Sequence, residues 1–199
     1  MTDHVRSRRG RGRPRGDSGA RGRIADAAMH EFGEHGYDGA TMRAIAARAE
    51  VDAALVHHYF GTKADLFAEV AGFPVRPDIE VPAILREGSE DAGERIVRFV
   101  LQAFERPEVR KRGVMVLRTA VSGKLTAPLV TGFMSRELLP RIASELHAPD
   151  AELRAGLVAT QIAGLLIARH VVKLPVLAEA SIEDLVARIG PTIQRYLFD

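Results

Sequence analysis

Some residue clusters in this chain have types that suit catalysis or metal binding. His30-Glu31-Phe32-Gly33-Glu34-His35 holds the parts of a helical zinc site. Such a site needs histidines four residues apart, so that both share one helix face. Here they are five apart, which turns one about 140° away from the other at ~100° per residue. The segment therefore reads as a solvent-exposed polar face. Gly10-Arg11-Gly12 begins like a dinucleotide fingerprint, but Arg15 stands where the third glycine belongs and no strand precedes it. His57 and His58 are neighbours, about 100° apart on a helix, and aim poorly at one ion. No nucleophile has an evident base. The sequence implies no catalytic residue, no metal site and no cofactor, hence not an enzyme.

What remains is charge. The net charge is only +2, but residues 1–23 hold eight arginines against Asp3 and Asp17, a local +6 that leaves −4 for the rest. A basic arm on a mildly acidic body points to a polyanion at one end of the molecule. Residues 1–19 are mostly Arg, Gly, Ser and Pro, too apolar-poor to fold alone, and are expected to be disordered when unbound. Within them Arg11-Gly12-Arg13-Pro14-Arg15-Gly16 resembles an AT-hook core. Arg11 and Arg13 on such a flat, extended strand suit a narrow A·T minor groove, or plain phosphate contact.

The elements that would position such chemistry lie just beyond the arm. Met42, Ile45, Ala46 and Ala49 recur at i, i+3, i+4 and i+7, one buried helix face, with Thr41 as its N-cap. Glu50-Val51-Asp52 is long enough only for a turn, and Asp52 can cap a second helix, Ala53–Tyr59. Thr62 caps a third, with Asp65 three residues on approximating a capping box. Two short helices across a three-residue turn make a helix-turn-helix, whose second helix enters the DNA major groove.

With its flanks, RIADAAMHEFGEHGYDGATMRAIAARAEVDAALVHHYFGTKADLFAEV, this segment resembles the TetR-type transcriptional regulators. The likeness covers residues 21 to 70. It implies an all-α protein: an N-terminal three-helix helix-turn-helix DNA-binding domain followed by a C-terminal helical ligand-binding and dimerisation domain. Carried over by position, Thr41 and Arg43 fall where the family touches phosphate and a base edge. Ala53, Ala54, Leu55 and His57 take groove-facing positions, and Tyr59 and Lys63 phosphate-contact positions. Leu55 stands where threonine is common, His57 for tyrosine and Tyr59 for histidine. The Ala-Ala-Leu face favours thymine methyls over amide hydrogen bonds.

The remainder reads as helices: Ala20–His35 stopped by Gly36, Lys63 to about Gly72, Pro82–Glu87, Asp91–Glu105, Pro107 to about Val121, Ala127–Leu146 kinked at Pro140, Pro149–Leu174, and Ser181–Leu197. Prolines 74, 77 and 82 mark the domain boundary, giving an arm at 1–19, a DNA-binding domain at 20–73 and an effector and dimerisation domain at 74–199. No apolar run reaches the ~18 residues that cross a bilayer, because Gln161, Arg169 and His170 break the richest one. With no cysteine, disulfides and thiolate metal sites are excluded. The expected location is the cytoplasm, with no membrane partner.

Two further groups are candidate sites. Gly156, Thr160, Gly164 and Ala168 form a small-residue stripe, joined by Leu185 and Ile189 on the last helix; these are the expected homodimer interface, as a four-helix bundle. Phe99, Met115, Arg118, Phe133, Gln161 and His170 combine large apolar groups with a few polar ones, as a small-molecule site needs, and are the expected contacts of a largely apolar effector. The reading is a homodimeric repressor that binds a near-palindromic operator in double-stranded DNA and is released by that effector. The rival is an architectural protein of A·T-rich DNA whose helical domain only dimerises.

Overall fold

The computed structural model describes residues 17–122 and 127–199. Every regular element among them is helical: α1 (Asp17–Gly39), α2 (Met42–Arg48), α3 (Ala53–Phe60), α4 (Lys63–Val70), α5 (Pro77–Arg86), α6 (Ala92–Glu105), α7 (Pro107–Ser122), α8 (Ala127–Phe133), α9 (Leu139–Ala143), α10 (Ala151–Leu166), α11 (Pro175–Ala178) and α12 (Ile182–Phe198). Short π-helical turns, Met134–Leu138 and Ile167–Val172, follow α8 and α10 without a break. The fold is all-α, with N-terminal helices forming a helix-turn-helix and a C-terminal helical bundle.

The caps read from the sequence are present. Thr41 accepts from Ala44 N at 3.1 Å and Asp52 from Ala54 N at 2.7 Å. Thr62 and Asp65 form a reciprocal capping box at 3.1 and 2.9 Å, satisfying two otherwise orphan amides at the start of α4. Gly36, at φ 73°, interrupts α1, but one more helical turn continues to Gly39. In α5, Pro77 rather than Pro82 supplies the first-turn proline, so that helix begins five residues earlier than its sequence suggests. Pro140 does not cut the chain: a π-helical turn directly precedes it, a widened turn that eases the ring's clash with the carbonyl four residues back.

Two main apolar clusters result. One gathers Ile24, Phe32, Ile45, Val56, Leu66 and Phe67 of α1–α4 and takes in Phe133 of α8. The other unites α5, α6, α9, α10 and α12 through residues such as Ile96, Leu101, Val158, Val186 and Ile193. Within the latter, α6 and α12 meet at two glycines. A Cβ on Gly93 would lie 2.3 Å from the Gly190 carbonyl oxygen, so only glycine permits this crossing. Asp91, the N-cap of α6, makes no side-chain cap bond. Gln194 of α12 replaces it, accepting from Gly93 N at 2.9 Å and donating to Ser89 O at 2.8 Å.

Helix α10 and its π turn form one run, Ala151–Val172, of 22 residues, long and apolar enough to cross a bilayer by length and composition. The core helix of a water-soluble protein passes the same test. Within it the Arg169 guanidinium turns inward and donates to the carbonyl of Ala180 at 2.9 Å and to that of Leu177.

Candidate nucleic-acid interface

The recognition helix α3 is held by its inward side. Val56 and Phe60 are buried in the α1–α4 cluster, which fixes the roll of the helix. Ala54, His57 and His58 are thereby exposed, with Leu55 and Tyr59 half-buried. Ala53 is also half-buried and packs against the cluster, so less of it faces outward than its position implies. Thr41 and Arg43, at the start of α2, are exposed. His57 Nδ1 lies 2.9 Å from the Gly61 carbonyl. A carbonyl only accepts, so Nδ1 donates this hydrogen bond and Nε2 is the ring nitrogen left for a base edge in the major groove. Gly61, at φ 72°, gives the turn that brings this carbonyl back.

Lys63, at the start of α4, is half-buried. Its Nζ lies 4.6 Å from the centre of the Tyr37 ring and 3.4 Å from the Asp38 carbonyl oxygen. Burial pushes its ammonium below the usual lysine range. Arg11 and Arg13 lie outside the described residues. Two other arginines of the basic stretch belong to the fold. Arg21 stacks over Phe60 at 5.1 Å and pairs with Glu69 at 2.7 Å, and Arg23 donates to the Ala49 carbonyl at 3.2 Å, closing the end of α2. The Glu31, Glu34 and His35 side chains come within 4.8 Å of one another. A cation already serves the carboxylates: Arg48 donates to Glu31 at 2.7 Å and Glu34 at 2.8 Å. Glu31 is buried, not solvated as its place in a polar face suggests.

A chain of charged groups that sequence reading missed leads from this unit into the bundle. Asp65, in the α4 capping box, pairs with Arg76. Arg76 grips Asp78 with two hydrogen bonds, 2.9 and 2.7 Å. Asp78 also accepts from Arg141 at 3.1 Å; Arg141 donates to Glu137 at 2.8 Å, and Glu137 accepts from the Tyr37 hydroxyl at 2.7 Å. Asp78 is only 1% exposed. Burial alone would raise the Asp65 carboxyl; hydrogen bonds from Thr62 and Arg76 overcome it and hold that group below the usual carboxylate range. Burial, then the bond to Glu137, raises the Tyr37 phenol. The chain runs from α4 through α5 and the π turn to α1. Two of its bonds, Arg141 to Asp78 and Tyr37 to Glu137, join residues 63 and 100 apart, and no local pattern announces those pairs.

The six residues expected to meet an effector do not converge. An apolar cavity of about 170 Å³ opens between the α4–α5 loop, α6, α7 and α10, against Phe73, Val81, Phe104, Leu117, Ile162 and Leu166. None of the six lines it. Phe133 is fully buried among Tyr37, Phe67 and Phe73, because α8 packs on α1. Met115 is 58% exposed, and Arg118 also faces out, because α7 turns Gly113, Val116 and Leu117 inward. Phe99 and Gln161 are half-buried beside the cavity wall. His170 stacks on the ring of Phe104 at 5.2 Å and borders a separate surface groove with Arg110, Arg118 and Arg169. Burial, then Arg169 and Arg110, lowers its pKa. Leu117, on the inward side of α7, is a lining residue.

Of the expected dimer face, Leu185 turns inward: it is 4% exposed within its own protomer and has little surface left for a partner. Leu165, next to Gly164, and Ile193, on α12, are buried likewise. Ile189 is half-buried against the bundle core. Gly156, Thr160, Gly164 and Ala168 keep part of their surface, and a Cβ on either glycine would meet nothing within 4 Å. Thr160 donates to the Gly156 carbonyl at 2.8 Å.

Comparison with known proteins places this geometry. Residues 24–70 match the family model for bacterial regulatory proteins of the tetR family, and residues 90–197 match that for the tetracyclin repressor-like C-terminal domain. The HTH-type transcriptional regulator BetI of Rhizobium meliloti is 30% identical over 177 residues, covering 80% of this chain and 82% of that protein. The regulatory protein RaaS of Mycobacterium tuberculosis is 52% identical over 50 residues, 25% of this chain and 23% of its own length. BetI of Agrobacterium fabrum is 37% identical over 75 residues, 38% of this chain and 32% of that protein, so these shorter matches span under two-fifths of the relatives concerned. A crystal structure of a TetR-family regulator from Streptomyces coelicolor aligns over 94% of this chain and 99% of that one, at 30% identity and a TM-score of 0.48. The capped helix-turn-helix and the bundle behind it are both matched, and the chain belongs to the TetR family of bacterial transcriptional regulators.

Proposed function

We propose that this regulator is a homodimeric, sequence-specific repressor released from a near-palindromic operator by a small apolar effector. The observation that carries the reading is the outward face of α3. Ala54, His57 and His58 are exposed on a short helix fixed by two buried anchors and its Asp52 cap, beside the exposed Thr41 and Arg43. Thr41 and Arg43 set the register on phosphates, helped by the helix N-terminus, while His57 and the Ala54–Leu55 surface read base edges and thymine methyls.

Residues 20–73 act as the DNA-binding domain and 74–199 as the effector and dimerisation domain, with Phe133 as the bundle's foothold in the first. The partner copy docks on α10, where Leu153, Leu157 and Val172 are exposed beside Gly156 and Gly164. Two recognition helices then meet successive major-groove turns, ~34–36 Å apart. The effector favours a state in which that spacing is lost, which is all that coupling requires. The route is the charged chain from Asp65 to Glu137 and Tyr37, since Leu138, next to Glu137, lines the cavity.

Selection of bound sequences from random DNA tests this. An enriched inverted repeat with one-turn spacing supports it. Enrichment of A·T-rich DNA without symmetry favours the architectural rival.

A further inference from the structure

The apolar cavity has a neighbour. A cleft of about 340 Å³ lies between α1 and α4 on one side and α7 and α8 on the other, against Met29, Gly33, Val70 and Met115. The two spaces share two residues, Phe73 and Val116, as a common wall. The inner space alone is smaller than ligand sites usually are, ~300–1,000 Å³; the two joined, about 510 Å³, fall within that range.

The linings restrict what can fill them. Every side chain around the inner space is hydrocarbon or thioether, so a ligand's inner end bears no charge and no hydrogen-bonding group, which would be buried without a partner. The outer mouth is flanked by Met29 and Met115, 60% and 58% exposed, flexible side chains that part readily. A polar end there stays in water. The two spaces are lined on α10 and on α1 respectively and meet only at Phe73 and Val116, so an occupant of both must be thin enough to pass that wall.

We infer that the effector is an amphiphile with one unbranched hydrocarbon chain, threaded from the Val158 end of the inner cavity past Phe73 and Val116, with its polar end between Met29 and Met115. This rests on the reading of the inner cavity as the effector site and names the ligand class it takes. Phe73 makes the threading consequential. Its ring lies 5.1 Å from Phe133 and 6.1 Å from Phe67, both in the α1–α4 core, while its other contacts line the cavity. It follows Gly72, whose φ of 74° makes the α4–α5 connection a position for glycine. A chain that passes Phe73 moves a ring seated in the helix-turn-helix core.

The test uses the whole protein with dodecanoate, hexanoate and naphthalene as probes, by calorimetry. Dodecanoate should bind at least 100-fold more tightly than hexanoate. Val116→Phe, which thickens the shared wall, should weaken dodecanoate at least tenfold and naphthalene, which fits on one side of that wall, by much less. Because that variant can misfold, isotope-edited NOEs are also measured on the unsubstituted protein. The terminal methyl of dodecanoate should contact the Val158 methyls, and the methylene next to the carboxylate the methyls of Met29 or Met115. Naphthalene binding with both chain ends confined to one compartment, or equal loss of both probes in a folded Val116→Phe, overturns the threaded chain and leaves the effector cavity standing. No binding of any probe overturns both.

Discussion

Asp78 is the residue on which the link between the two parts of the molecule should depend most. It is 1% exposed and accepts three hydrogen bonds, two from Arg76 and one from Arg141. Asp78→Asn keeps the shape and removes the charge, leaving two guanidiniums facing a neutral amide. Removing one partner of a buried pair costs ~3–5 kcal/mol. Here water reaches the other side, since the Arg76 and Arg141 side chains are 22% and 39% exposed, and Arg76 keeps Asp65. The expected loss is therefore about 2–3 kcal/mol. For a chain of this length, ~2–4 °C per kcal/mol predicts a melting temperature lower by roughly 4–12 °C, with the protein still folded at 25 °C. The assay is thermal unfolding followed by circular dichroism, with operator affinity measured in the presence and absence of effector. The effector's influence, typically a coupling of ~1–3 kcal/mol, should shrink in the variant, while effector affinity in the DNA-free protein stays close to the original. A melting temperature within 1 °C of the original would show that the charged chain holds nothing. A full effector response in a destabilised Asp78→Asn would show that coupling travels by another route.

Other outcomes follow from the same structure. His57→Ala should reduce operator affinity by ~1–3 kcal/mol at one or two positions and barely change binding to random DNA, measured by titration against both; equal losses would remove His57 from the base-reading set. Deleting residues 1–16, which stops short of α1, should leave the melting temperature unchanged and flatten the salt dependence of DNA binding, because fewer counterions are released. Gly93→Ala should cost at or above the upper end of the ~1–3 kcal/mol typical of overpacking, as its Cβ meets backbone at 2.3 Å; Gly164→Leu should spare the protomer and loosen the dimer, as seen by sedimentation. Asp65 has a lowered pKa in the folded state, so its stabilisation is present above about pH 3.8 and is lost as pH falls through the folded value. Arg76→Gln should therefore move the acid-unfolding midpoint upward, which an acid titration by circular dichroism checks.

What the sequence made legible was local. Thr41, Asp52 and Thr62 announce helix starts because a cap and its amides lie within three residues. The periodicity around Ile45 and Val56 gives the buried side of the reading head for the same reason. Which way a helix faces in the bundle depends on distant packing, and there the sequence was a poorer guide. Met115 and Leu117 look alike in a string; only the docking of α7 puts one outside and the other at the cavity. Phe133 has no local sign that it belongs with Phe67 rather than with its own bundle. Leu185 fits an apolar stripe but is used inside the protomer. The Gly93–Gly190 crossing and the Asp78–Arg141 pair each join residues far apart in the chain, so no short pattern could have shown them.

The most direct test of a paired reader of DNA uses the absence of cysteine from the chain. Ala47→Cys, on the exposed side of α2, gives one labelling position per protomer for a spin-label distance measurement. On the selected operator, the account predicts an intermolecular dipolar signal with one narrow distance, and a broader distribution on random DNA of the same length. No intermolecular signal at saturating operator, or the same broad distribution on both DNAs, would contradict it.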